Sequence, residues 1–304
     1  MGIASIILCF SLLQVNTTNF DKFNTLLKEG KLDEAKIVID NWGEQKESDP
    51  QYYICCFNYF MNKAITQGYV IQVNPPSDRE KIILTLKDPN TGSVKGFMVA
   101  TIVYDKATAN TAITFIKEGI QKFPDHYEMR FGLLWALKEL KDFDQYIGEL
   151  EDALKYFSDK KLTYIFWNNN KKISDPDGFI IEKIQDILHE FVNNDEIYSN
   201  QKFLNNYIDL MIKYYPDNKY GYANKGFMYF NNKEYDKALE YYFKAYEIDK
   251  EDLLVLFNIG FIYKQKGNYD CAKTFFEKII TIGVNEYYIN RASEELKNLA
   301  SKSQ

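Results

Sequence analysis

Residues that could do catalytic or metal chemistry are few and scattered in this sequence. The chain has two histidines, His126 and His189, and neither is near a cysteine or the other histidine in sequence. A metal site built on imidazoles needs several ligands together, and nucleophilic catalysis needs a base beside the nucleophile. His126 falls in a turn between two predicted helices, where we expect a solvent-exposed side chain. We therefore predict no catalytic residue and no metal-binding residue.

The glycine-rich and acidic motifs are incomplete as well. GYANKGF at Gly221 has glycines spaced as in a phosphate loop, but the Lys and the Ser or Thr that must follow are missing. DPNTG at Asp88 and DPDG at Asp175 begin like calcium loops and lack the remaining ligands, so turn formation accounts for both. We expect no cofactor and a non-catalytic protein. The alternative is an enzyme that uses the carboxylates of Asp78, Glu80 or Asp88.

The charge balance argues against nucleic acid as a partner. The 37 Lys and Arg residues face 43 Asp and Glu residues, which gives a formal net charge of -6. A protein that binds a phosphate backbone needs a basic surface, and this composition provides no general one. The 24 Tyr and 22 Phe residues recur at helical spacing. Such aromatic residues either pack a core or form a binding surface.

The N-terminus begins with an apolar run from Ile3 to Val15. Its length suits the core of a signal peptide and is too short for a stable transmembrane span. We therefore expect a signal peptide at residues 1–19 and a periplasmic or secreted protein. No Lys or Arg precedes the run and no clear cleavage site follows it, so a first helix of a cytoplasmic protein is the alternative. A lipid anchor at Cys9 is disfavoured, because Leu8 precedes it where a small residue is needed.

Two stretches near the C-terminus repeat each other 34 residues apart. NKEYDKALEYYFKA begins at Asn232, and KGNYDCAKTFFEKI begins at Lys266. A fixed period of this size indicates an array of helical hairpins, in which each unit buries its apolar face against its neighbours. The matched positions are Tyr222 with Leu256, Gly226 with Gly260, Tyr229 with Tyr263, Tyr235 with Tyr269, Ala238 with Ala272, and Tyr242 with Phe276.

This pattern resembles the tetratricopeptide repeat (TPR), most clearly over residues 219–252 and 253–286. The resemblance implies an all-α solenoid of about five helical hairpins with a C-terminal cap helix, forming one domain over residues 20–304. A weaker match covers residues 127–160. One departure is Lys225, which stands where the repeat usually has leucine.

A β-rich stretch interrupts this helical pattern. The helix QYYICCFNYFMNK, in which Cys55 and Cys56 take packing positions, is followed only much later by its expected partner, which begins at Thr108. Between them lie YVIQV, KIILTL and VKGFMVATIVY, separated by NPPSD and DPNTGS. β-Branched runs bounded by such turn residues predict strands, so we expect a small β-hairpin insertion at about residues 68–106. It either presents a functional surface or shields a helix edge.

The TPR resemblance also implies a concave groove lined by the first helix of each hairpin. Carried over position by position, it places seven aromatic residues on or beside that groove: Phe131, Trp135, Tyr220, Phe227, Phe230, Phe257 and Phe261. Unless neighbouring helices cover them, such rings could anchor a partner's helix or extended peptide. We therefore expect an interaction or scaffold protein with a protein or peptide partner. The alternative is an accessory protein of the cell envelope that binds a small molecule or a glycan.

Overall fold

A computed structural model describes residues 18–44, 46–75 and 82–302 of the chain. Residues 1–17 of the predicted signal peptide lie outside these ranges, as do the carboxylates of Asp78 and Glu80. Thr18 and Asn19 are the N-cap and the first residue of the first helix. No helix in the described ranges is both long and apolar enough to cross a membrane.

The chain divides into two compact units. The first lies within Met1–Asp142 and Ile165–Lys172, and the second within Phe143–Tyr164 and Ile173–Gln304. Both are built mainly of helices, and the predicted all-α fold of helical hairpins with a small β insertion is confirmed. The predicted hairpin at residues 127–160 is divided between the units, because the boundary falls between its two helices.

Among its described residues, the first unit contains five helices and a short 3-10 turn at Lys46–Ser48. The helices are α1 (Asn19–Lys28), α2 (Leu32–Asp40), α3 (Pro50–Lys63), α4 (Lys106–Lys122) and α5 (Tyr127–Glu139). α1 pairs with α2, α3 pairs with α4, and α5 packs against α4. Asp49 fixes the start of α3, because its carboxylate accepts hydrogen bonds from the Gln51 backbone at 2.9 Å and from Trp42 Nε1 at 2.9 Å.

The β insertion lies between the two helices of the α3–α4 hairpin. Its strands are β1 (Ile65–Gln72), β2 (Ile82–Lys87) and β3 (Val94–Tyr104), antiparallel in the order β1-β3-β2. The base of the insertion is closed by a hydrogen bond of 2.8 Å from the Asp105 backbone N–H to the Ala64 carbonyl. The delayed partner helix of α3 is thus α4, as the sequence predicts.

A second, shorter hairpin was not predicted. Its strands are β4 (Ile165–Trp167) and β5 (Lys171–Ile173). The three residues between them, Asn168, Asn169 and Asn170, have φ angles of 36°, 60° and 58°. Asparagine tolerates this left-handed conformation better than other residues with a side chain, apart from aspartate, so the NNN sequence suits a tight turn.

The described part of the second unit is mainly helical and includes the last residue of β5, Ile173. Its helices are α6 (Phe143–Lys160), α7 (Pro176–Val192), α8 (Asp195–Ser199), α9 (Gln201–Tyr214), α10 (Lys219–Asn231), α11 (Tyr235–Ile248), α12 (Leu253–Gln265), α13 (Tyr269–Ile282) and α14 (Glu286–Lys302). α10 with α11 and α12 with α13 form the two predicted repeat hairpins, and α14 packs against α13. Between α6, α7 and α9, buried aromatic rings form the core, including Tyr146, Phe191 and Phe203.

The unusual Lys225 of α10 is satisfied by the preceding helix. Its side chain is buried, and its Nζ donates to Asn205 Oδ1 at 2.9 Å and to Asp209 Oδ1 at 2.8 Å on α9. A buried ammonium group is tolerated when it is paired and hydrogen-bonded. The departure from the repeat pattern is therefore compensated locally.

Candidate functional site

The most exposed aromatic residues of the predicted groove in the second unit lie on α10. Tyr220 is 39% exposed and Phe227 is 38% exposed. Tyr220 and Phe227 are seven positions apart, which is nearly two helical turns, so both side chains lie on the same face of α10. The start of the helix is fixed by Asn218, whose side chain accepts from the Tyr220 backbone at 2.9 Å, and by Lys219, which lies 2.7 Å from Asp249. The two rings thus project from a well-anchored helix.

Phe230 and Phe261 meet between α10 and α12. Their ring centroids are 5.9 Å apart in an edge-to-face arrangement, and both side chains are half-buried. Such a geometry is favourable for aromatic pairs. These two rings extend the exposed surface of Tyr220 and Phe227 inward.

Phe257 belongs to the core instead. It is 3% exposed, its ring lies 5.5 Å from that of Phe276, and Arg291 of α14 places its Cζ 4.1 Å from the ring centroid. Tyr288 of the same helix lies 6.4 Å away. α14 therefore covers this position, and the Phe257 ring is not available to a partner in this structure.

The remaining predicted residues, Phe131 and Trp135, are on α5 in the first unit. Trp135 is 42% exposed and contacts Phe57 and Tyr104 edge-on, at 6.4 and 6.5 Å between ring centroids. Phe131 is half-buried, with its ring 5.4 Å from that of Trp167. The exposure of Trp135 fits a role in contacting a partner. Phe131 packs against Trp167 instead.

The first unit also contains a cavity of about 590 Å³ that sequence reasoning missed. α1, α3, α5 and the β4–β5 hairpin all contribute to its wall. The wall is rich in side-chain amides and also carries two rings, two acids and a lysine: Asn24, Asn58, Asn168, Asn169, Phe20, Trp167, Asp21, Glu128 and Lys28. Amides can both donate and accept hydrogen bonds, so this wall suits a polar ligand.

The β4–β5 hairpin is held in place by contacts with distant parts of the first unit. Phe166 donates its backbone N–H to the Asp125 carbonyl at 2.9 Å, and Gln51 Nε2 donates to Asn170 Oδ1 at 3.1 Å. Phe166 also stacks on His126, with ring centroids 4.7 Å apart. His126 is consequently only 9% exposed. The expectation of a solvent-exposed His126 is wrong, because β4 lies over the turn that carries it.

Glu128 is the least satisfied group near this cavity. Both of its carboxylate oxygens are buried without a hydrogen-bond partner in the described part of the chain. His126 Nδ1 lies 3.6 Å from Glu128 Oε1, which is beyond hydrogen-bond distance. A buried carboxylate without donors is costly. A polar ligand that donates hydrogen bonds to this carboxylate would lower that cost.

Asp88, which is a carboxylate of the β insertion, has a structural role. Asp88 accepts backbone hydrogen bonds from Asn90 and Thr91, both at 2.9 Å, and lies 3.7 Å from Lys95. The Thr91 and Asn90 hydrogen bonds hold the pKa of Asp88 below its ordinary value. Asp88 therefore closes the turn between β2 and β3. No group of three or more metal-ligating side chains occurs within the described ranges.

A family model matches this chain in two places. The tetratricopeptide repeat model matches residues 220–252 and 254–282, which are the two hairpins of the second unit described above. Photosystem I assembly protein Ycf3 of Acaryochloris marina is 30% identical over 102 residues, which cover 28% of this chain and 61% of that protein. The chain thus spans less than two thirds of this relative.

Two other relatives show similar levels of identity. An uncharacterized protein, ycf37, of Pyropia yezoensis is 28% identical over 149 residues, covering 48% of this chain and 77% of the relative. TPR repeat-containing protein MJ1428 of Methanocaldococcus jannaschii is 29% identical over 100 residues, covering 33% of this chain and 17% of the relative.

Similar solved structures include other repeat proteins. The C-terminal part of a TPR repeat-containing protein from Cytophaga hutchinsonii covers 94% of this chain and 89% of its own, with 15% identity and a TM-score of 0.46. YrrB, described as a TPR protein with an unusual peptide-binding site, covers 61% of this chain and 83% of its own, with 14% identity and a TM-score of 0.37. Similarity at these levels concerns the fold alone.

Proposed function

Since the chain is a tetratricopeptide repeat protein, we propose that it is a non-catalytic interaction protein that holds a protein or peptide partner on the first helices of its two C-terminal repeats. The observation that carries this proposal is the exposure of Tyr220 and Phe227 on one face of α10. Exposed aromatic anchors of this type dominate the energetics of many protein interfaces.

The surroundings of these rings favour an apolar partner surface. Phe230 and Phe261 lie half-buried beside them, and Leu254 of α12 is 50% exposed. The nearby Lys219 is neutralised by Asp249 and Asp252. An amphipathic helix or an extended segment with apolar side chains at regular spacing would match this surface.

A charge placed on the surface tests the proposal. In a crosslinking pull-down from native cells, we expect the wild type to capture a discrete protein that Phe227→Glu no longer captures. Tyr269→Glu is the matched control, because Tyr269 is 37% exposed but lies on the second helix of its hairpin. Both variants should keep the helical circular dichroism spectrum of the wild type. Capture of the same proteins by Phe227→Glu would refute the proposal.

The cavity of the first unit favours a second candidate function, the binding of a glycan or another small polar molecule. Trp167 could stack on a sugar ring, while Asn58 and Asn168 hydrogen-bond to its hydroxyl groups. A panel of oligosaccharides should then include one that protects tryptophan fluorescence from acrylamide quenching. Trp167→Phe should abolish that protection and Trp135→Phe should keep it. If no oligosaccharide protects the wild type, this candidate is rejected.

A further inference from the structure

β1 forms one edge of the three-stranded sheet in the first unit, and this edge is regular. β1 pairs with β3 over its full length, Ile65 to Gln72, without a shift in register. Its other side has no strand partner among the residues that the structure describes. A free strand edge exposes backbone N–H and C=O groups that can pair with another strand.

The opposite edge of the same sheet is protected. β2 is shorter, has two shifts in register against β3, and ends at Lys87. Bulges and charged residues are common means of preventing a sheet edge from pairing. β1 has neither of them, since no charged residue occurs between Lys63 and Asp78. The contrast singles out β1 as the edge that is suited to pairing.

One face of the sheet is strongly apolar and exposed. Ile71 and Leu84 both lie opposite Met98, so they share this face of the sheet. They are 68% and 52% exposed, and Tyr69 and Ile102 on the same face are 56% and 60% exposed. Adjacent exposed apolar side chains of this kind usually mark an interaction site.

We propose that β1 pairs antiparallel with β1 of a second copy of this chain, which joins the two sheets into one. A second copy fits because β1 is self-complementary in an antiparallel pair: about Gly68, Ile65 falls opposite Ile71 and Thr66 falls opposite Val70. The β1 edge places no like charges opposite each other. In a two-fold antiparallel pair, residues directly opposite lie on the same face, so the apolar faces of both copies become continuous.

Two-fold symmetry also limits the register of this pair, because one residue of β1 must face its own copy. With Gly68 at the centre, Ile65 faces Ile71 of the other copy and Thr66 faces Val70. With Tyr69 at the centre, Ile71 would face a glutamine instead. Pairs of β-branched side chains stabilise a sheet, so the register centred on Gly68 is the expected one.

Sedimentation equilibrium of the full chain tests the pairing. We expect the wild type to sediment at twice the monomer mass of 35.7 kDa, and Ile71→Lys to sediment as a monomer. Leu84→Lys is the matched control on the same face, because it leaves the β1 edge untouched. It should remain dimeric. Both variants change exposed residues, and a helical circular dichroism spectrum checks that they fold.

Three results would overturn the proposal: a monomeric wild type, a dimeric Ile71→Lys variant, or loss of the dimer in both variants. The last of these would mean that the sheet faces stack without edge pairing.

A disulfide defines the register: in a background of Cys9→Ser and Cys271→Ser, the double variant Ile65→Cys with Ile71→Cys should crosslink two chains. Ile71→Cys alone should not, because its two copies would lie about 20 Å apart along the strands. Equal crosslinking of both variants would reject the Gly68-centred pairing.

Discussion

Gly226 lies directly against the ring of Tyr242: a Cβ at position 226 would be 3.0 Å from three carbons of that ring. Gly260 and Phe276 have the same relationship 34 residues later, also at 3.0 Å. The sequence duplication is therefore a duplication of one packing contact, in which a glycine on the first helix accommodates a ring from the second. Tyr242 also accepts a hydrogen bond of 3.0 Å from Asn258, which links one repeat to the next.

A closer contact of the same kind occurs in the α3–α4 hairpin and makes Gly119→Ala destabilising. A Cβ there would lie 2.7 Å from Met129 Sδ and 2.8 Å from Tyr53 Cβ, so the helices would have to separate. Overpacking typically costs about 1–3 kcal/mol, which exceeds the helix-propensity gain of about 1 kcal/mol from replacing glycine. We expect urea denaturation to show a net loss of up to about 2 kcal/mol.

Gly132→Ala is the control for this experiment, since Gly132 lies within α5 of the same unit. A Cβ at that position would make an ordinary contact of 3.5 Å with Phe57. The variant should therefore be about 0.5–1 kcal/mol more stable than the wild type. If Gly119→Ala stabilised the protein to the same degree, the close contact between α3 and α4 would not exist in solution.

The buried Lys225 gives a second prediction. Its side chain is 7% exposed, whereas its partner Asp209 is 57% exposed and would remain solvated without it. Lys225→Leu should therefore leave stability within about 1 kcal/mol of the wild type or raise it, because a buried ion pair is often no better than an apolar residue. Lys225→Ala should cost about 2–3 kcal/mol through the cavity that it leaves. A larger loss for leucine than for alanine would contradict this explanation.

The parts of the fold that sequence predicts depend on local signals. The hairpins of the second unit follow from a period of 34 residues, and the β insertion follows from β-branched runs bounded by Asp88 and Gly92. The short β4–β5 hairpin has a weaker signal. Its strands have only three residues each, although WNNNK, starting at Trp167, is a recognisable turn sequence.

Burial at the candidate sites depends on contacts that no local pattern reports. Phe257 fits the groove positions of the repeat, but Arg291 and Tyr288 of α14 cover it. His126 is covered by β4, and the hairpin that includes β4 is held by Gln51 from a distant helix. Helix faces can be predicted from periodicity, whereas the elements that cover them are set by tertiary packing.

The cysteines of α3 give a third prediction. Burial raises the pKa of Cys56 to about 12 and raises that of Cys55 as well. At pH 8 the thiolate fraction of Cys56 is then on the order of 10⁻⁴, and only the thiolate reacts. In a Cys9→Ser background, Ellman's reagent should label one thiol quickly and the other two only after unfolding in urea. Replacing the half-buried Cys271 with serine should remove the fast phase. Rapid labelling of two native thiols would contradict the burial of this pair.

The cap of α4 gives a prediction about pH. Asp105 accepts hydrogen bonds from the Thr108 hydroxyl at 2.6 Å and from its backbone N–H at 2.9 Å, and these bonds lower the pKa of the carboxyl group. Because the folded-state pKa lies below the unfolded one, the ionised carboxylate stabilises the protein above the unfolded pKa, and this contribution is lost as the pH falls through the folded pKa.

Asp105→Asn should separate the charge of Asp105 from its geometry as a cap. Asparagine still accepts from the Thr108 backbone, but it has no charge to interact with the helix N-terminus. The wild type should therefore be more stable than Asp105→Asn at pH 7, and the gap should narrow as the pH is lowered below about 4, near the ordinary pKa of aspartate. Asp105→Ala should lose the cap altogether and remain less stable than Asp105→Asn at both pH values. Urea midpoints of the three proteins at pH 7 and pH 3 measure both effects. A constant gap between wild type and Asp105→Asn would show that the carboxylate charge does not contribute.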